Sequence, residues 1–176
     1  MNRKQRAGWR PPARDPSAGR AAEEVLGDIE DITALVVDDS EFFPLLTAGQ
    51  LETEHGIETR TALSPETALE ELCSLDIDIV ISDYDMPEMD GPAFYDRAAD
   101  VVSDVPFIIL TGRTDGDIAS KAISAGTDDY LQKEAVTERN DFEALASHGK
   151  NVVSRRRSRQ KYELVVDNTP EGIARL

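Results

Sequence analysis

Apolar and polar positions switch repeatedly between two periods along the middle of this chain. The run "ITALVV" at 32–37 is apolar except for Thr33 and ends in Asp38-Asp39, as a strand covered on both faces does. Ser40 stands at an N-cap position before a helix over 41–54 that places Phe42, Leu45, Leu46 and Leu51 on one side, with Pro44 early enough to be tolerated. "IETRTA" at 57–62 alternates like a half-covered strand, and Ser64-Pro65 opens a helix running to Leu72 or Cys73. "IDIVIS" at 77–82 predicts a third strand leading directly into Asp83, followed by a loop rich in Pro and Gly and a helix over 92–100. "VPFIIL" at 105–110 predicts a fourth strand ending at Thr111-Gly112, and a helix over 116–125 stops at Gly126. A short fifth strand falls near 129–131. A longer helix then begins between 135 and 141, with Phe142, Leu145, Ala146, Gly149, Val152 and Val153 at helical spacing.

Five strands alternating with five helices predict an α/β fold, a doubly wound five-stranded parallel sheet covered on both faces. Ligands of such sheets bind beyond the carboxyl ends of the strands, at the topological switch point. Asp38 and Asp39 end the first strand, Asp83 the third and Thr111 the fourth, while Lys133 closely follows the fifth. The topology therefore gathers these polar groups at one edge.

Composition divides the chain into three parts. Residues 1–29 carry six Lys/Arg and four Asp/Glu, and their Pro, Gly, Arg and Ser content predicts a disordered extension. Residues 30–134 carry five Lys/Arg against twenty-five Asp/Glu, a net of −20, within a folded domain expected to span 30–155. Residues 156–176 are expected to form a linker and tail. So acidic a domain repels phosphate backbones, which argues against direct nucleic-acid binding. The basic N-terminal stretch has no apolar core behind it, so it does not resemble a secretory signal, and no apolar run reaches membrane-spanning length. A cytoplasmic location is expected. Cys73, the single cysteine, allows no internal disulfide and is expected to be a buried, inert thiol.

Carboxylates gathered at one sheet edge repel one another by roughly 4 kcal/mol per pair at about 4 Å and an effective dielectric near 20. A hard divalent cation relieves this, and a site of oxygen ligands without His or Cys suits Mg2+ rather than zinc or copper. A hydroxyl (Thr111) and a cation (Lys133) remain, and both suit the oxygens of a phosphoryl group. Asp83 is the best candidate for a carboxylate nucleophile that forms an aspartyl phosphate.

The set Asp38-Asp39, Asp83, Thr111, Tyr130 and Lys133 resembles the receiver domain of two-component response regulators. Its separations of 44, 28, 19 and three residues (from Asp39 onward) and the blocks "LVVDDS", "SDYDMPEMDG", "ILTG" and "DDYLQK" carry the resemblance over about 31–155. The resemblance implies a flavodoxin-like receiver fold. It also implies that Asp83 accepts phosphate from a sensor histidine kinase or phosphotransfer protein, as in a phosphorelay. Asp39 would bind Mg2+ directly, Asp38 through water, and the backbone carbonyl of Asp85 would complete the metal site. Thr111 and Lys133 would hold the phosphoryl oxygens. Tyr130 would turn inward as Thr111 moves, altering the face formed by the fourth helix, fifth strand and fifth helix (the α4-β5-α5 face), where a homodimer or a partner could form. Such a domain is a signalling switch rather than an enzyme, catalysing only its own phosphorylation and dephosphorylation, and no DNA-binding output domain is expected in this chain.

Three departures from the family pattern stand out. Glu134 follows the lysine where proline is common, which bears on whether the Lys133–Glu134 peptide is cis. Asp85 adds a carboxylate that either orients a hydrolytic water or repels one. Gly112 leaves access to Asp83 open. Met86, Pro87 and Met89 shape the loop, Glu88 and Asp90 read as solvated, and His55 and His148 read as surface histidines. "YELVVDNTPEGIARL" at 162–176 resembles the start of a PAS sensor domain, and the basic stretch 155–161 reads as a solvated helix or linker. Two other readings compete. Asp83-Tyr84-Asp85 also resembles the nucleophile motif of haloacid dehalogenase-type phosphatases, and the fold without the chemistry would serve as an interaction module.

Overall fold

The apolar runs pair side by side. β1 (Thr33–Val37), β2 (Glu58–Ala62), β3 (Ile79–Asp83), β4 (Phe107–Thr111) and β5 (Asp129–Gln132) form one parallel sheet in the order β2-β1-β3-β4-β5. The computed structural model describes residues 31–112 and 116–167. The expected N-terminal extension and the PAS-like stretch from 168 onward lie outside the described residues. Helices α1 (Phe42–His55), α2 (Pro65–Ser74), α3 (Gly91–Val101), α4 (Gly116–Ala125) and α5 (Phe142–Asp167) connect or follow the strands, with a short helical segment at Lys133–Glu138.

Side chains alternate across each strand, so the sheet divides its apolar residues between two cores. Ala34, Val36, Ile79, Ile81, Ile108 and Leu110 meet Phe43 and Leu51 of α1 and Leu145, Val152 and Val153 of α5. Leu35, Val37, Val80, Phe107 and Ile109 meet Ala68 and Leu72 of α2, Phe94 and Ala98 of α3, and Ile118 and Ala122 of α4. Each fully buried aliphatic or aromatic side chain contributes about 1.5–3 kcal/mol, which explains why the central strands are almost wholly apolar. Phe94 and Tyr95 both pack edge-on against Phe107, with ring centroids 5.4 and 5.2 Å away.

Helix ends follow local chemistry, with one correction to the sequence reading. Ser64 accepts a hydrogen bond from the Thr67 N–H and caps α2 as expected. Asp90 is exposed, as expected, and also caps α3 by accepting from the Ala93 N–H. Ser40 does not cap α1, which starts after Glu41 without a side-chain cap; the Ser40 N–H instead donates to Asp38. Gly126, at φ 97°, ends α4 in a conformation that costs glycine little.

The buried side of α1 is also rotated from the expected one. Phe43, Thr47 and Leu51 are buried, whereas Phe42 and Leu45 are 73% and 68% exposed. At 100° per residue, positions 43, 47 and 51 form one stripe and positions 42 and 45 fall outside it. The same geometry corrects Cys73. Pro65, Ala68 and Leu72 fill the inner face of α2, which turns the thiol at 73 outward, exposed rather than buried.

Candidate functional site

Strand register builds the site. Val37 is level with Ser82, which sets Asp38 beside Asp83; Asp83 is level with Leu110, and Thr111 with Gln132. Strands β1, β3 and β4 therefore bring the polar residues at their carboxyl ends to the same edge, and Lys133 follows Gln132 of β5 there. The gap between β1 and β3 is the switch point of this sheet, because β2 lies on one side of β1 and β3 to β5 on the other.

Asp38, Asp39 and Asp83 each bring a carboxylate oxygen within 4.8 Å of the others. Asp38 is 1% exposed and Asp83 9%, while Asp39 faces solvent. Lys133 Nζ forms an ion pair and hydrogen bond with Asp38 Oδ2 and lies 3.5 Å from Asp83 Oδ2. Asp83 Oδ1 accepts from the Tyr84 N–H at 2.9 Å. Thr111 is fully buried at the end of β4.

Burial is the main reason that the Asp83 carboxyl is raised from 3.8 to about 6. Lys133 opposes the rise, the neighbouring Asp38 charge adds to it, and the Tyr84 N–H again opposes it. Desolvation therefore outweighs the lysine in the metal-free protein. Added positive charge at this edge would return Asp83 to the carboxylate form that a nucleophile requires.

The donor set fits a magnesium ion. The three carboxylates offer hard oxygen ligands close enough together to share one cation, and an all-oxygen set of this kind suits magnesium. Asp38 and Asp83 are held to Lys133 while Asp39 is open to water, which leaves one side of the cluster accessible.

Two residues not foreseen as part of the site support it. The Phe43 ring lies under Lys133 Nζ, 4.5 Å from centroid to nitrogen, and fixes the lysine against the carboxylates by a cation–π contact. Its neighbour Phe42 has the same chemical character, so the sequence carried no signal favouring one over the other. Gly91 starts α3 directly against the Asp83 backbone: a Cβ there would sit 3.0 Å from the Asp83 carbonyl oxygen. The Gly91 N–H donates to the Tyr84 carbonyl at 2.8 Å, closing the loop around Asp83. Glu88 completes this loop at φ 71°, in the left-handed region.

The remaining expected residues lie outside the carboxylate cluster. Asp85 is exposed in the loop after β3. Tyr130, half-buried, packs against the core shared with α2, α3 and α4. No cis peptide occurs among the described residues, so the Lys133–Glu134 bond is trans. The Glu134 side chain instead comes close to Gly112, where a Cβ would lie 3.1 Å from Glu134 Oε1. His148, expected at the surface, is half-buried and bonded through Nδ1 to Asp129 Oδ2.

Comparison with known proteins agrees with this geometry. Residues 34–144 match the family described as the response regulator receiver domain. The response regulator SaeR of Staphylococcus epidermidis is 36% identical over 99 residues, covering 56% of this chain and 42% of SaeR. The sensor histidine kinase RcsC of Escherichia coli is 32% identical over 113 residues, covering 64% of this chain and 12% of RcsC. This chain thus spans less than half the length of either relative. Among solved structures, the signal receiver domain of an HD domain-containing protein from Pseudomonas fluorescens Pf-5 superposes with a TM-score of 0.63 at 29% identity, over 73% of this chain and 98% of that one. No helix among the described residues is long and apolar enough to cross a membrane.

Proposed function

Because the chain belongs to the response regulator receiver domain family, we propose that it is a phosphoacceptor switch that receives its phosphoryl group on Asp83. The observation that carries this reading is the position of Asp83, nearly buried, 3.5 Å from Lys133 Nζ and clustered with Asp38 and Asp39. A phosphohistidine on a sensor kinase or phosphotransfer protein is the natural donor. Its P–N bond breaks as a bond forms from phosphorus to a carboxylate oxygen of Asp83, and the imidazole leaves as a neutral ring that keeps the proton already on its other nitrogen. Lys133 and the Thr111 hydroxyl are suited to binding the phosphoryl oxygens.

Magnesium held by Asp38, Asp39, Asp83 and the Asp85 carbonyl would neutralise the charge that builds up on the transferring group. The protein's own groups position the reaction: the Tyr84 N–H holds the Asp83 carboxylate, Gly91 lets α3 approach the Asp83 backbone, and Phe43 lies against the lysine. Phosphorylation adds a charge of about −1.5 to −2 and three acceptors beside Thr111 and Lys133. Movement of Thr111 toward that group would open space for Tyr130 to turn inward, changing the surface of α4, β5 and α5 by a population shift. A partner or a second copy binding that surface is the output we propose.

Incubation with Mg2+ and acetyl phosphate should add one phosphoryl group per chain and then stop. Continued release of phosphate from a phosphomonoester over many turnovers would favour the phosphatase reading of Asp83 and Asp85 instead. Absence of both labelling and Mg2+ binding would favour an interaction module without the chemistry.

A further inference from the structure

Among the described side chains the buried apolar stripe of α5 ends at Val153, but the helix continues without a break to Asp167. The residues that follow the stripe are strongly basic: Arg155, Arg156, Arg157, Arg159 and Lys161. Three of these arginines reach back to the sheet edge opposite Asp83. Arg156 Nη2 donates to the Ser103 carbonyl at 3.1 Å, in the connection that leads into β4. Arg157 Nη2 donates to the Asp31 carbonyl at 2.9 Å, just before β1, and pairs with Asp78 Oδ1 at 3.3 Å, just before β3. Arg159 Nη1 pairs with Asp104 Oδ2 at 3.5 Å. Asp78 extends the link, since its other oxygen accepts from the Thr33 N–H at 2.8 Å.

These contacts join one helix to the entry points of the three central strands. They are polar rather than apolar: Arg156 and Gln160 line one wall of an open cleft of about 560 Å3, whose other walls come from Leu72 to Asp78 and from Val102. Among the described residues, no side chain of this helix beyond Val153 belongs to the buried apolar core. Without tertiary support a few terminal helical turns fray, because isolated short helices are marginal in water.

We propose that Arg156, Arg157 and Arg159 clamp the distal turns of α5 to the amino-terminal edge of the sheet, so that α5 to about Gln160 belongs to the receiver's rigid body. Whatever is joined after α5 is then set at a fixed orientation to the phosphoacceptor edge, by a helix rather than by a flexible linker. The receiver reading gives this clamp its use, but the contacts and their test do not depend on phosphorylation of Asp83.

Amide hydrogen exchange on the unphosphorylated 176-residue chain tests the proposal. In the unsubstituted protein, amides of residues 154–160 should be protected well above free-peptide rates. The combined R156Q, R157Q and R159Q variant should exchange about tenfold or more faster there, as expected for loss of charged hydrogen bonds. Amides of residues 145–153 and of β4 should be unchanged in that variant, which shows that it has folded. Free-peptide exchange over 154–160 in the unsubstituted chain would overturn the proposal, as would equal protection in the two proteins. The single variant R157Q, which removes two of the contacts, should lie between them.

Discussion

Lys133 Nζ stands 3.5 Å from Asp83 Oδ2 while it is ion-paired with Asp38, so one lysine serves two largely buried carboxylates. Replacing it by glutamine would remove the cation that pairs with both among the described residues. Loss of one partner from a buried pair typically costs about 3–5 kcal/mol. Because the lysine side chain is 22% exposed, a smaller loss of about 1–3 kcal/mol is expected. Urea unfolding at neutral pH without metal measures it, and addition of Mg2+ should recover part of the loss. A Lys133→Gln protein as stable as the unsubstituted one would show that the lysine does not neutralise the pair.

The raised Asp83 carboxyl sets a pH dependence whose sign follows from linkage. In the folded, metal-free protein Asp83 keeps its proton up to about 6, whereas an ordinary aspartate loses it near 3.8. The folded state therefore binds the extra proton between these values, and its contribution to stability falls as pH rises through that window. Asp83→Asn removes the cost of burying the charge. In EDTA it should be more stable than the unsubstituted protein by about 1–3 kcal/mol above pH ~7, with the difference closing below pH ~4. A difference that is constant with pH would contradict this.

Gly91→Ala tests the loop that seats the nucleophile. The new Cβ would meet backbone atoms of Asp83 and Tyr84 at 3.0 and 3.2 Å, which no side-chain rotation relieves. A loss of about 1–3 kcal/mol is expected, together with slower phosphorylation. Gly112→Ala meets only the far end of the Glu134 side chain and should be tolerated. Thermal unfolding and acetyl phosphate labelling of the two variants should therefore diverge.

Phe42 and Leu45 are exposed on α1, the helix that starts at the candidate site. Their replacement by alanine should change stability by no more than about 0.5 kcal/mol. If a phosphodonor protein docks on them, the double variant will be labelled normally by acetyl phosphate but several-fold more slowly by a histidine kinase. Equal slowing with both donors would mean that these residues act on the site itself.

Much of this was legible in the sequence. Asp38, Asp39, Asp83 and Thr111 stand at the ends of apolar runs and Lys133 just after the short strand of "DDYLQK", and a parallel sheet sends all such strand ends to one edge. The fold followed from the same runs and from the punctuation at Ser64, Pro65 and Gly126. What was not legible depended on rotation and on backbone partners. Choosing Phe43 over Phe42, or turning Cys73 outward, requires the angular position of a helix that periodicity leaves open by a residue. Arg156 and Arg157 looked solvated because two of their partners are the carbonyls of Ser103 and Asp31, which no side-chain pattern marks. Asp90 is exposed as read, but its capping role followed from its place before Gly91-Pro92 rather than from its charge.

The identity of the phosphorylated residue tests the central claim most directly. After incubation with Mg2+ and acetyl phosphate, borohydride reduction and peptide mass spectrometry should place the acyl phosphate on Asp83 alone, and Asp83→Asn should take up none. Equal labelling of Asp83→Asn, or a modified Asp38, Asp39 or Asp85 in the unsubstituted chain, would contradict the account.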